Sequence, residues 1–96
     1  MSRLAQLSWH IGILLEEWLK PMHLTQLALA KKMGVDIQLV NGIVNGRRAV
    51  TAKTALLLAK VLKTTPQFWL NAQMAVDLWH ARAALKDERL SRRKSA

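Results

Sequence analysis

Apolar residues return every three or four positions through most of the chain, the spacing that puts them on one face of an α-helix. Leu14, Leu15, Trp18 and Leu19 form such a stripe in a segment running from Ile11 to Lys20, which Pro21 ends because proline disfavours helix in the residue before it. Leu29, Ala30 and Met33 form a second stripe, and Val40, Ile43 and Val44 a third. Ala55, Leu58, Ala59 and Leu62 mark a fourth helix over 52–63, widened by Leu56 and Leu57. The fifth pattern is the longest: Trp69, Ala72, Val76, Trp79 and Ala83 recur from about residue 66 to Leu85, with Leu70, Met74, Leu78 and Leu85 beside them. The chain therefore reads as all-α, five helices in one domain over 11–85. Residues 1–10 form a lead-in, and 86–96, KDERLSRRKSA, lose the pattern and read as a frayed basic tail.

The boundaries between stripes carry capping residues. Thr25 stands before the second helix, and Gly34 suits the left-handed position after a helix C-terminus. Asp36 caps a third helix over 37–45, and Gly46 stops it. Two short helices joined by a turn of about three residues make a helix-turn-helix at 25–46. Thr51 caps the fourth helix, and Thr65-Pro66 opens the fifth with proline at a position that needs no N–H.

On the third helix, Gln38, Asn41 and Gly42 lie opposite Val40, Ile43 and Val44. A carboxamide can bond bidentately to adenine in the major groove, so Gln38 and Asn41 are candidates for reading base edges; the alternative is that they are solvated polar positions. Arg47 and Arg48 leave the helix where its end would approach a DNA backbone, and arginine clamps phosphate well. The charge balance agrees: fifteen Lys and Arg against six Asp and Glu give +9, and between Trp18 and Val76 Asp36 is the only acid. A charge kept for solubility would be mixed in sign, so the bias points to a polyanionic partner.

Other chemistry finds little support. Cysteine is absent, removing disulfides and thiolate sites together and suiting a reducing compartment. No apolar run approaches the ~18 residues of a membrane span, and the expected location is the cytoplasm. Glu16 and Glu17 are adjacent carboxylates without a nucleophile, and His10, His23 and His80 lack metal-ligand spacing, so neither an enzyme nor a metal or cofactor is expected. The fifth helix carries a broader stripe than a small domain buries alone. Val76, Leu78, Trp79 and Ala83 are accordingly expected to face a second copy, the alternative being a wholly intrachain core.

With these elements assigned, the chain resembles the Cro/C1-type, lambda-repressor-like helix-turn-helix family, and within it the HigA-type antitoxins. The resemblance rests on GILLEEWLKPM at 12–22, LTQLALAKKMGV at 24–35, VNGIVNGRRAVTAKTALLLAKVL at 40–62 and TTPQFWLNAQMAVDLW at 64–79, the last being the most particular. It implies a dimer that binds an operator over its own promoter and sequesters a small RelE-like, mRNA-cleaving toxin. It also implies that Ile37, Gln38, Asn41 and Gly42 face bases, while Gln26 and the residues near Asn45 and Arg47 hold the backbone; Leu39, Arg48 and Lys53 are further phosphate candidates. Several positions depart from the family's habit. Asp36 replaces Ser or Thr, Ile37 and Leu39 replace polar residues, and Gly42 replaces a longer side chain and removes a base contact. Leu57 and Ile13 stand where the family often has Arg and an acid, which makes them either an apolar partner site or extra core. Such toxins are usually basic, so contact with this basic chain would need the acids Glu16, Glu17, Asp77, Asp87 and Glu88. A phage or mobile-element repressor without a toxin, and a scaffold that has lost DNA binding, are the other readings.

Overall fold

The computed structural model describes residues 10–95, with the side chains of 91 and 93–95 left aside; the rest of the lead-in and Ala96 lie outside the described residues. Five helices follow in order: α1 (Ile11–Leu19), α2 (Gln26–Met33), α3 (Ile37–Val44), α4 (Ala52–Leu62) and α5 (Pro66–Ser95). Each expected cap is made. Thr25 Oγ1 accepts from Ala28 N at 3.1 Å, Asp36 Oδ1 from Gln38 N at 2.8 Å, Thr51 Oγ1 from Thr54 N at 3.3 Å and Thr65 Oγ1 from Phe68 N at 3.1 Å. Gly34 adopts φ 71°, ψ 33°, the left-handed conformation that turns the chain from α2 into α3.

The core joins Ile11, Leu15, Leu19, Leu29, Met33, Val40, Ile43, Leu58 and Leu62 to Trp69, which is wholly buried. Trp69 packs edge-on to Trp18 and Phe68 at centroid distances of 5.9 and 5.0 Å, and its indole N–H donates to Thr64 Oγ1 at 2.7 Å. A large apolar ring with its one polar atom satisfied pins the start of α5 to α1. Gly12 brings α1 against the end of α3: a Cβ there would collide with the carbonyl groups of Ile43 and Val44.

Three expectations change. Val76 is 5% exposed and belongs to this core, so it has no surface for a second copy. Leu56 is 61% exposed and does not widen the stripe of α4. Residues 86–95 are not frayed, because α5 continues to Ser95 and makes the molecule 54 Å long and about 25 by 21 Å across. Beyond Val76 this helix leaves the core; Trp79 is half-buried, and Leu78, Ala83, Leu85 and Leu90 are exposed.

Candidate nucleic-acid interface

The polar face of α3 is tied to both of its neighbours by one side chain. Asn41 Nδ2 donates to Gln26 Oε1 at 3.2 Å, while Asn41 Oδ1 accepts from Asn45 Nδ2 at 3.0 Å and from an Arg47 guanidinium nitrogen at 3.2 Å. Gln26 is the first residue of α2, Asn45 caps the end of α3 and Arg47 lies in the following loop. Four of the expected site residues thus form one network. Gln38 and Ile37 stand one turn nearer the start of α3, both exposed, Ile37 at 39%. Lys53 is exposed on the first turn of α4.

Two site residues do not behave as expected. Leu39 packs its side chain half-buried against the core, and its N–H donates to Asp36 O at 3.0 Å, leaving no donor for a phosphate. Gly42 shares the polar face by its position but is buried: the nearest atoms to a Cβ built on it are Arg48 Cγ, Cδ and Nε, at 2.9, 3.0 and 3.3 Å. It presents no edge to a base, because the Arg48 stem covers it.

The loop after α3 is held in place by backbone bonds. Both Arg47 N and Arg48 N donate to Gly42 O, at 2.8 and 3.0 Å, and Gly46 at φ 77° supplies the left-handed residue this reversal needs. The His10 ring lies over Gly46 and its Nδ1 accepts from Gly12 N at 3.1 Å, so a histidine caps α1 and seats the loop together. From the other side, Gln73 Oε1 accepts from Val50 N at 2.8 Å and Gln73 Nε2 donates to Asp77 Oδ1 at 2.9 Å. Sequence reasoning did not single out His10 and Gln73 for these tasks. Gln73 does leave a sign: it is a polar residue on the same face as Trp69 and Val76, four and three positions away.

Ile13 and Leu57 do not meet. Ile13 lines a shallow cleft of about 420 Å³ with Glu16, Glu17, Lys20, Val44 and Asn45, whereas Leu57 lines another of about 300 Å³ with Lys32, Met33, Lys60 and Val61. Among the described residues no group of three or more His, Cys, Asp or Glu is placed to hold a metal ion, and no helix is long and apolar enough to cross a membrane.

A capped two-helix unit with an outward amide face and an arginine loop at its end defines a helix-turn-helix protein of the kind that lays a helix along a duplex groove. The helix-turn-helix family profile matches residues 15–69, and the chain belongs to that family, in its Cro/C1-type branch. Antitoxin HigA-1 of Vibrio cholerae is 47% identical over 72 residues, which are 75% of this chain and 68% of that protein. A HigA-family addiction-module antidote protein from Coxiella burnetii superimposes with a TM-score of 0.72 at 41% identity, covering 85% of this chain and 92% of that one. Pseudomonas aeruginosa antitoxin HigA, solved with the higBA promoter, superimposes with a TM-score of 0.77 at 34% identity, covering 84% and 89%.

Proposed function

We propose that this protein is a DNA-binding antitoxin that represses transcription of its own operon. The observation that carries the reading is the Gln26–Asn41–Asn45–Arg47 network, which presents amides and a guanidinium along the outer face of α3 in a chain of net charge +9. In this reading α3 enters the major groove, Gln38 and Asn41 bond base edges, and Ile37 packs on a thymine methyl group. Gln26, Asn45, Arg47 and Lys53 hold phosphates on either side. That the P. aeruginosa relative was solved with the higBA promoter supports operator DNA as the partner.

A second copy docks along the outer part of α5 through Leu78, Trp79 and Ala83, giving two recognition helices for two operator half-sites. The further partner is a small RelE- or HigB-like mRNA-cleaving toxin. Being basic, it is drawn to the α1 cleft, where half-buried Glu16 and exposed Glu17, the latter paired with Lys20 at 3.3 Å, lie beside the 42%-exposed Ile13. The protein works in the cytoplasm without a cofactor and catalyses no reaction.

Footprinting on DNA upstream of the reading frame, with and without the neighbouring gene product, tests the proposal. A protected segment overlapping the promoter that changes when the second protein is added is expected. Protection no greater than on unrelated DNA overturns the DNA-binding reading, and protection indifferent to the neighbour leaves a repressor without a toxin.

A further inference from the structure

The polar face of α3 has a gap in it. Positions 38, 41, 42 and 45 share that face at ~100° per residue, yet position 42, between Gln38 and Asn45, has no side chain. The structure fills the gap from outside the helix. The N–H groups of Arg47 and Arg48 both close onto Gly42 O, which fixes the start of the Arg48 side chain beside that turn of α3. Its Cγ, Cδ and Nε then run through the space that a Cβ on residue 42 would crowd, at 2.9 to 3.3 Å. The stem of Arg48 thus lies against α3 at the position where residue 42 has no side chain of its own.

The two arginines of the loop are in different states. Arg47 donates to Asn41 Oδ1 and is part of the network that stiffens the face. Arg48 is exposed, and among the described residues no hydrogen bond or ion pair engages its guanidinium. Five donors in a fixed planar fork are left uncommitted on a side chain whose stem rests against α3.

We infer that Arg48 is a specificity-determining residue: it supplies, from the loop, the base-reading side chain that Gly42 lacks, and its fork pairs with O6 and N7 of a guanine in the major groove. A guanidinium serving only as a phosphate clamp needs no seat across the helix. Glycine at 42 is the seat, because any Cβ would push the Arg48 stem aside. The inference rests on the proposed binding of operator DNA.

The test is selection of duplexes from a random-sequence pool by the intact protein, the Arg48→Ala, Arg48→Lys, Arg47→Ala and Gly42→Ala variants, followed by affinities for the selected duplex and for each single-position change. The wild type is expected to enrich a motif containing a fixed G·C pair. Arg48→Ala should cut discrimination at that pair alone, by about ten- to a hundredfold, the range of one bidentate base contact. Arg48→Lys keeps the charge but not the fork and should also lose that discrimination. Gly42→Ala should reproduce the loss, with an unchanged helical circular dichroism spectrum showing that it is folded. Arg47→Ala should weaken all duplexes together. If Arg48→Ala enriches the wild-type motif and weakens every duplex equally, Arg48 is a phosphate clamp and the inference fails while the proposed function stands. If the wild type enriches no motif, both fail.

Discussion

Single atoms separate the two glycines that sit inside helices. At Gly12 the obstacle to a Cβ is backbone, the carbonyl groups of Ile43 and Val44, and neither can move without unwinding the end of α3. At Gly42 the obstacle is the stem of Arg48, a flexible side chain. Gly12→Ala should therefore lower stability by about 3 kcal/mol, through overpacking of two helices. Gly42→Ala should cost clearly less, because the Arg48 stem can swing aside and Ala favours helix over Gly by about 1 kcal/mol. Urea unfolding of the two variants reads the difference directly, and equal midpoints would contradict it. Much of what happens at this scale is legible in the sequence, because caps depend on neighbours a few residues away: Thr25, Asp36, Thr51 and Thr65 all bond the helix they precede. The burial of Gly42 is not legible in that way. It depends on where a loop folds back, and helical periodicity alone puts residue 42 in the open.

Among the elements, α5 anchors the loop that carries the arginines. Gln73 holds the N–H of Val50 from one amide atom and Asp77 from the other, and it is nearly buried at 9% exposure. Replacing it with leucine keeps the volume and removes the acceptor, leaving Val50 N without its partner. Gln73→Leu should cost about 1–3 kcal/mol, the penalty for an unsatisfied buried donor, and should speed amide exchange at Val50. Slow exchange at Val50 in the variant would show that the bond does not hold the loop. The length of α5 was only partly legible. Hydrophobic periodicity fades after Leu85, yet the remaining residues include strong helix formers, and Glu88 and Arg92, four apart, approach to 3.4 Å. The helix continues on propensity and charge pairing after its buried stripe has ended.

For the molecule as a whole, the 54 Å axis poses the main energetic question. A helix that has left its core is marginal in water, and the outer part of α5 still exposes Leu78, Leu85 and Leu90, at 45, 52 and 47%. The proposed pairing with a second copy would remove that surface from water. Leu78→Glu should convert a dimer into a monomer in sedimentation equilibrium and weaken operator binding by about tenfold or more, since two half-sites would no longer be held by one particle. A dimer that persists in that variant would place the contact elsewhere. The five-helix plan was legible because each short helix has a face that only the others can cover; the burial of Val76 was not, because periodicity does not show how far along α5 the cover given by α1 and α4 extends.

The unbroken run of α5 has a geometric corollary. The same rod is pinned to the core by Trp69 at one end and extends beyond it at the other, with no proline or glycine between. Its outer face is thus phased to α3 like a key cut at a set angle to its bow: one residue added after Asp77 would turn that face by ~100°, and seven would bring it almost back into phase.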